Sequence, residues 1–162
     1  MSESRPIHVL LDTLPQKGSV EWIGIRPARG EPMVELEAVR LEPNQGLEGD
    51  RFKGRIGSAR QVTLIQKEHL DVIAACLHRE SLSPVFLRRN LVVSGINLLA
   101  LKDKAFRVGE ALLEFSGLCH PCSKMEIQLG AGGYNAMRGH GGITARVLEP
   151  GDVGIGNGVA RA

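Results

Sequence analysis

Glycine is concentrated in two stretches of this chain, and that uneven distribution limits the available folds most strongly. Ten of the 20 glycines lie between Gly130 and Gly158, and four more lie between Gly46 and Gly57. Glycine at this density interrupts long helices and favours tight turns, bulges and close approaches of the backbone. Short apolar runs typical of strands lie between these breaks. The sequence therefore predicts a mainly β protein, a small barrel or sandwich with two or three short helices.

Composition and charge exclude several classes of protein. Hydrophobic residues make up 43% and charged residues 23% of the 162 residues, which is typical of a globular chain and not of a disordered one. No run approaches the roughly 18 apolar residues that cross a bilayer, and the first residues lack a signal-peptide layout. We therefore expect a cytoplasmic protein. A net charge of +2 and 4% aromatic residues give little reason to expect nucleic-acid binding.

Hydrophobic periodicity divides the chain into a short lead-in, residues 1–19, and a single domain, residues 20–162. Residues 67–79 have apolar positions at helical spacing, which places Cys76 in the core. Ser83 and Pro84 predict a short capped turn of helix after it. The predicted strands are residues 20–27, 33–42, 61–66, 91–94, 105–108, 111–115, 143–148 and 153–155.

Two cysteines in the segment Leu118–Glu126 are the first candidate site. A helix is predicted to begin at the N-cap Ser123, with Glu126 completing a capping box, and to end at Gly130. Cys122 comes directly before that helix, whose dipole is expected to favour the thiolate. Cys119 and Cys122 suit a redox pair, half of a zinc site, one working thiolate beside a bystander, or two small buried residues. His120 and His140 alone leave a zinc site incomplete.

The segment Gly46–Arg60 is the second candidate site, because cationic side chains alternate there with glycines. Backbone N–H groups freed by glycine, together with such cations, make a cradle for phosphate. The segment lacks the Gly-Lys-Ser/Thr ending of a Walker loop. A solvated surface loop is the alternative interpretation. The cations in question are Arg51, Lys53, Arg55 and Arg60.

A third candidate lies at the predicted helix-to-strand junction around residue 89. Arg88 and Asn90 carry donors and acceptors that suit a fused heterocycle or a phosphate. Arg89 is interpreted as a solvent-facing neighbour of Arg88. His140 lies in a glycine-rich loop that is expected to border the same site.

Together these segments resemble the MOSC family, named for the C-terminal domain of molybdenum-cofactor sulfurases. The matching segments occur in the family's order, and the resemblance as a whole covers Val20 to Val159. The resemblance implies a closed or partly open β-barrel similar to the pyruvate-kinase barrel domain. The matching segments are residues 46–51, 88–91, 121–122, 139–147 and 151–152.

The resemblance also implies site residues and a cofactor, the molybdenum–pterin cofactor. Cys122 takes the family cysteine's position, as catalytic residue and as a molybdenum ligand or sulfur carrier, with Cys119 as an extra thiol. Arg88 and Asn90 are expected to contact the pterin, and no pyridoxal phosphate site is identified. The predicted cofactor-binding residues are Gly49, Asp50, Arg51, Lys53, Arg55, Arg60, Arg88, Asn90, Cys119 and His140.

Three functions remain open at this point. The first is a cofactor binder, possibly a reductase of N-hydroxylated substrates that uses an external electron donor. The second is a sulfur carrier that delivers a persulfide on Cys122 to a metal–sulfur centre. The third is a non-enzymatic interaction module. We expect a cofactor-donor, sulfur-donor or electron-transfer protein as partner, and neither nucleic acid nor membrane.

Overall fold

The computed structural model describes residues 4–52 and 54–162. Within these residues four short α-helices occur, namely α1 (Ile7–Asp12), α2 (Lys67–Cys76), α3 (Ser123–Leu129) and α4 (Gly133–Met137). Two 3₁₀ turns, Pro84–Phe86 and Leu98–Leu101, add to them. The strands are β1 (Gly18–Ile25), β2 (Val34–Leu36), β3 (Ala38–Glu42), β4 (Gly46–Leu47), β5 (Val62–Gln66), β6 (Leu91–Ser94), β7 (Ala105–Val108), β8 (Ala111–Leu118), β9 (Ile143–Glu149), β10 (Gly151–Gly154) and β11 (Gly158–Arg161).

A closed barrel dominates the architecture, which confirms the predicted mainly β fold. In the described part of the chain seven strands follow one another in the order β11-β7-β8-β9-β5-β6-β1, and β1 pairs with β11 to close the ring. The pairs are antiparallel except β5 with β6, the two strands that α2 connects. The barrel is filled by side chains that are fully buried, among them Ile23, Leu64, Phe106, Leu113 and Val159.

The single strand predicted over residues 33–42 is wrong, because two strands in different sheets occupy that segment. β2 forms a hairpin with β1, with Ile25 opposite Val34. β3 instead pairs with β10 and β4 in a separate three-stranded sheet. The chain bends at Glu37, whose carbonyl accepts a hydrogen bond from Ile155 N–H at 3.0 Å. An alternating apolar pattern continues through such a bend and does not reveal it.

The helices α2, α3 and α4 pack against one outer face of the barrel, formed by strands β1, β5 and β6. The buried positions of α2 are Leu70, Ile73 and Ala74, at the predicted helical spacing. Cys76 is exposed, so its predicted place in the core is wrong. Leu77, at the C-cap of α2, packs instead against the helical core, the cluster that contains the buried side chains of α2, α3 and α4.

Two further elements, α1 and β11, lie near the first and the last described residues. The predicted lead-in, residues 1–19, contains α1 and the first residues of β1. β11 follows β10 after a short turn, and the sequence did not predict it because glycines occupy the turn and the first position of the strand. Among residues 4–52 and 54–162, none of the helices combines the length and the apolar character needed to span a bilayer.

Candidate ligand-binding cleft

A cleft of about 590 Å³ opens at the rim of the barrel beside Cys122. It forms where the end of β1, the loop after β4, the start of β5, the segment before β6 and the loop after β8 meet. Most of the side chains that line it are polar or charged. The full set of lining residues is Arg26, Met33, Asp50, Arg51, Phe52, Arg60, Gln61, Thr63, Arg88, Arg89, Asn90, His120, Cys122 and Lys124.

Cys122 presents an exposed thiol to this cleft and begins helix α3. It is the N-cap residue, so the predicted N-cap at Ser123 is wrong by one position. The predicted capping box is also wrong, because Glu126 accepts hydrogen bonds from the start of α4 instead. Helix α3 has only seven residues and adds little to the positive charge here, which comes from side chains.

Positive side chains surround the thiol, whereas Asp50 is the one carboxylate among the described residues that line the cleft. Asp50 Oδ1 accepts a hydrogen bond from the backbone N–H of Arg26 at 2.8 Å. The arginines that form ion pairs in the described part of the chain all lie outside the cleft; they are Arg40, Arg107, Arg146 and Arg161. The cations of the cleft are Arg26, Arg51, Arg60, Arg88, Arg89 and Lys124.

These cations lie close enough together to lower one another's pKa. The charge of Arg88 lowers the pKa of Lys124. Burial, followed by the charges of Arg88 and Arg51, lowers the pKa of Arg26. Like charges held this close favour the binding of an anion, which relieves their mutual repulsion.

Arg89 is buried, so its interpretation as a solvent-facing neighbour of Arg88 is wrong. Its side chain is 2% exposed. The guanidinium donates hydrogen bonds to three backbone carbonyls, from Nε to Gly141 at 2.8 Å, from Nη1 to Leu87 at 2.9 Å and from Nη2 to Cys119 at 3.2 Å. Arg89 therefore ties the segment before β6 to the loops on either side of the helices α3 and α4.

Arg88 has a backbone conformation that few residues with side chains adopt. Its φ is 59°, in the left-handed region. In an extended strand, consecutive side chains point to opposite faces. Here both Arg88 and Arg89 line the cleft, so the left-handed residue brings two consecutive arginines to one site.

Asn90 lies at the base of the cleft, where both polar atoms of its side chain make hydrogen bonds within the protein. Asn90 Oδ1 accepts hydrogen bonds from Thr63 N–H at 3.1 Å and Thr63 Oγ1 at 3.0 Å. Asn90 Nδ2 donates to the carbonyl of Gly24 at 3.1 Å. These bonds join β5 and β1 through the residue that precedes β6.

The loop after β4 places two of its predicted cations, Arg51 and Arg60, in the cleft. Arg51 N–H donates a hydrogen bond to the Arg26 carbonyl at 2.7 Å. Together with the hydrogen bond from Arg26 N–H to Asp50 Oδ1, it holds the loop against the end of β1. Gly49 has a φ of +85° and forms the turn without lining the cleft. Arg55 is exposed and lies outside the lining, whereas Arg60 lines it. Lys53 lies outside the described residues.

Two further predicted residues lie behind or beside the cleft. Cys119 is 1% exposed, and its N–H donates to the carbonyl of Gly142 at 2.8 Å. His140 packs edge-on against His69, with ring centroids 5.1 Å apart. Burial, then the neighbouring His140, lowers the pKa of His69. The structure thus does not place the side chain of either predicted residue in the lining.

Several lining residues were not among the predicted site residues. His120 and Lys124 flank Cys122 in the sequence, so proximity to that thiol was a signal for both. Arg26 follows a predicted strand, but nothing in the sequence shows which strand end faces the site. The others are Met33, Phe52, Gln61, Thr63 and Arg89.

Comparison with known proteins gives a family match. A family model described as the MOSC domain matches residues 47–160, which is more than half of the chain. The chain belongs to the MOSC domain family. Within this MOSC chain the matched region contains Cys122 and most of the cleft, whereas Arg26 and Met33 lie before it.

Solved structures share the fold of this MOSC protein. The YuaD protein from Bacillus subtilis has a TM-score of 0.76 at 20% identity, covering 91% of this chain and 97% of that one. YiiM from Escherichia coli has a TM-score of 0.68 at 22% identity, covering 89% of this chain and 69% of that one. YiiM from Geobacillus stearothermophilus has a TM-score of 0.70 at 18% identity, covering 90% and 75%. No curated protein sequence matches the chain.

Proposed function

We propose that this MOSC protein binds the molybdenum–pterin cofactor in the cleft, with Cys122 as a thiolate ligand to the metal. The observation that carries the proposal is an exposed thiol within a cleft lined by cations. Cys119 is buried and Cys76, although exposed, does not line the cleft, so Cys122 is the candidate ligand among the three cysteines.

The donor set of the cleft fits a metal that brings most of its own ligands. Among residues 4–52 and 54–162, no group of three or more His, Cys, Asp and Glu side chains could hold an ion. A bare ion would therefore find too few protein ligands. A metal already held by the dithiolene sulfurs of a pterin needs only one further soft ligand, and a thiolate is such a ligand.

The cations have two tasks in this proposal. Arg51 and Arg60 are positioned on the loop side of the cleft, where they bind a phosphate by charge-assisted hydrogen bonds. Arg88, beside Cys122, holds the heterocycle and orients it towards the thiol. The bound molybdenum would supply two-electron redox chemistry. Reduction of an N-hydroxylated substrate would then require electrons from a partner protein.

Cys122 is expected to determine how much molybdenum the protein retains. We expect protein from a host that makes the cofactor to contain close to one molybdenum and one pterin per chain. Cys122→Ser removes the soft ligand, so its molybdenum content should fall about tenfold or more, as expected when one of few metal ligands is lost. Elemental analysis and pterin fluorescence measure the two contents.

Cys76→Ser is the matched control, because Cys76 is an exposed thiol outside the cleft. It should retain the wild-type content. Equal molybdenum content in Cys122→Ser and wild type would contradict the proposed metal ligand.

A sulfur carrier is the second candidate, and it is favoured by the same exposed thiol. The Cys122 thiolate would attack the outer sulfur of a donor persulfide, forming a new S–S bond while the donor leaves as a thiolate. The cations around Cys122 favour the resulting persulfide anion. Incubation with a protein persulfide donor, followed by mass spectrometry, should add one sulfur to wild type and to Cys76→Ser, but none at residue 122 of Cys122→Ser.

The two measurements separate the candidates. Molybdenum without sulfane sulfur supports the cofactor binder, and sulfane sulfur without molybdenum supports the carrier. Protein that acquires neither under both conditions would contradict both and favour the interaction module.

A further inference from the structure

Two histidines, His69 on α2 and His140 in the loop after α4, meet beside the cleft. Their rings pack edge-on with centroids 5.1 Å apart, and both residues are half-buried. Nδ1 of His140 is fully buried and has no hydrogen-bond partner in the described part of the chain. Buried polar atoms without a partner are rare in folded proteins, so this pair is a candidate for a role beyond packing.

The packing of this pair favours two neutral rings. A proton on Nδ1 of His140 would bury an N–H donor without an acceptor. Protonation of both rings would place two positive charges side by side in a partly desolvated contact, where they repel each other. Burial, followed by the charge of His140, lowers the pKa of His69 from its usual 6.5. Because the contact favours the neutral imidazole, it is at full strength above pH 6.5 and weakens as the pH falls from there through the lowered pKa.

The elements packed against α2 bring little charge to this contact. They are β5, β6 and α4. The strands β5 and β6 contain no titratable side chain, and α4 contains Tyr134, which is exposed. Arg138, which follows α4, is also exposed, and its Nη1 donates a hydrogen bond to Asn135 Oδ1 at 3.4 Å.

Glu68, the residue before His69 on α2, is the anionic group whose charge acts on that histidine. It raises the pKa of His69, but its effect is smaller than that of burial or of His140. The Glu68 carboxylate is engaged elsewhere, because it accepts hydrogen bonds from Gly95 N–H at 3.3 Å and from Gln66 Nε2 at 3.4 Å. It therefore does not compensate two charges on the histidine pair. The other titratable residues of α2 are Lys67, Asp71 and Cys76.

The loop that carries His140 also holds two residues at the back of the cleft. The carbonyl of Gly141 accepts a hydrogen bond from Arg89 Nε, and the carbonyl of Gly142 accepts one from Cys119 N–H, both at 2.8 Å. Gly139 and Gly142 have φ values of +82° and +91°, so left-handed glycines stand at both ends of this short segment. Glycine changes its backbone angles at little steric cost, which makes these two positions suitable hinges.

We propose that His69 and His140 form a pH-sensitive latch on the loop of residues 139–142. With both rings neutral the latch is closed, and the loop holds Arg89 and Cys119 through its two carbonyls. Protonation of both rings in mildly acidic solution separates them, so that the loop turns about its glycines and releases these two partners. The back of the cleft is therefore rigid at neutral pH and loosens in acid. This inference does not rest on the proposed function.

Hydrogen exchange of the Cys119 amide, followed by NMR, tests the latch, because this N–H donates to the Gly142 carbonyl. Its protection factor, which corrects for the intrinsic pH dependence of exchange, should fall about tenfold or more from about pH 7.5 to about pH 5. The amide of Val20 is the internal reference, since it donates to the Asn157 carbonyl at 2.9 Å where the barrel closes. Its protection factor should change less than about twofold, because the barrel stays folded.

His69→Phe keeps an aromatic ring against His140 but removes one of the two titrating groups. The protection factor of its Cys119 amide should change less than about twofold over the same pH range. His8→Phe is the matched control, because His8 is exposed on α1 and the variant should behave like the wild type. His140→Phe covers the case in which His69→Phe fails to fold, and it should lose the pH dependence in the same way.

Three results would overturn the latch. They are a constant protection factor at Cys119 in the wild type, an equal fall at Cys119 and Val20, and a wild-type pH dependence in folded His69→Phe or His140→Phe. None of these results bears on the proposed function, because the exchange measurements need neither molybdenum nor a sulfur donor. Conversely, protein that acquires no molybdenum and no sulfur can still show the pH-dependent exchange.

Discussion

Three consecutive residues, Arg88, Arg89 and Asn90, have different roles at one rim of the barrel. Arg88 is half-buried and faces the cleft, whereas Arg89 lies beneath it and holds three carbonyls. Asn90 turns inward and joins the strands β1 and β5. The segment thus couples the ligand-binding surface to the hydrogen bonds that hold the barrel together.

Asn90→Ala should destabilise the protein in the absence of any ligand. The change leaves Thr63 N–H, Thr63 Oγ1 and the Gly24 carbonyl without their buried partner. Each buried polar group left unpaired costs about 1–3 kcal/mol, so we expect a loss of that order in urea unfolding. Asn135→Ala is the control, because Asn135 is exposed, and it should unfold within about 0.5 kcal/mol of wild type. A similarly small effect of Asn90→Ala would refute the structural role.

The sequence predicted which residue types of this segment belong to the site, but it did not predict the directions in which their side chains point. The sequence singles out Arg88 and Asn90 by their chemistry, and both line the cleft. The burial of Arg89 depends on carbonyls of Cys119 and Gly141, which are remote in sequence. The local sequence pattern carries no information on such long-range partners, so these hydrogen bonds of Arg89 could be found only in the folded chain.

At the scale of elements, one carboxylate connects two short helices. Glu126 belongs to α3 but accepts hydrogen bonds from the backbone N–H groups of Gly132 and Tyr134 at the start of α4, at 2.6 and 3.0 Å. The two helices flank Gly130, whose φ of +88° ends α3. Since Cys122 is the N-cap of α3, this contact helps to fix the helix that adjoins the thiol.

Glu126→Gln should remove a pH-dependent part of the stability. The hydrogen bonds from Tyr134 and Gly132 lower the pKa of Glu126 below its usual 4.5. Because the folded state favours the ionised carboxylate, this contribution is fully present above about pH 4.5 and is lost as the pH falls through the lowered pKa. The melting temperature of wild type should therefore exceed that of Glu126→Gln by a constant amount near neutrality, and the difference should shrink in acid.

Glu80→Gln provides the comparison for this titration, because Glu80 is exposed. Its difference from wild type should not follow the acid transition of Glu126→Gln. A difference between Glu126→Gln and wild type that stays constant from pH 7 to below pH 4.5 would disprove the capping role.

Elements with strong local signals were predicted well. The limits of β6 and β7 agree with the predicted strands, and Ser83 caps the 3₁₀ turn with a hydrogen bond from Val85 N–H. Helix α4 was missed because its five residues begin at a glycine and lie in the glycine-rich stretch. Short elements of this kind are stabilised by tertiary contacts, here by Ala136 and Met137 in the helical core, and their own propensity is weak.

At the scale of the whole molecule, the barrel depends on the seam between β1 and β11. Gly18 pairs with Val159 and Ser19 with Gly158. The backbone of Val20 extends the seam, donating to the Asn157 carbonyl at 2.9 Å and accepting from Gly156 N–H at 2.8 Å. The family resemblance implied a barrel, but periodicity alone did not distinguish a barrel from a sandwich. Closure joins segments far apart in the chain, and local patterns do not record such pairings.

Gly18→Ala should strain the start of β1, where it lies against the end of β6. A Cβ at residue 18 would lie 2.5 Å from the Ser94 carbonyl oxygen and 2.6 Å from Ile96 Cγ2. Overpacking of this kind costs about 1–3 kcal/mol, which urea unfolding should detect. Gly158→Ala, on the other strand of the seam, meets no atom within 4 Å and should be neutral or slightly stabilising. Equal stability of the two variants would argue against the close approach at Gly18.

The pairing of β1 with β11 also has a consequence for the way in which the protein is made. On the ribosome β1 emerges well before β11, so the ring stays open until both of these strands have been synthesised. During that interval β1 has an unpaired edge, and such edges are templates for association with other chains. Contacts of this long range also slow folding. We therefore expect the nascent chain, more than the finished barrel, to be the species that depends on chaperones.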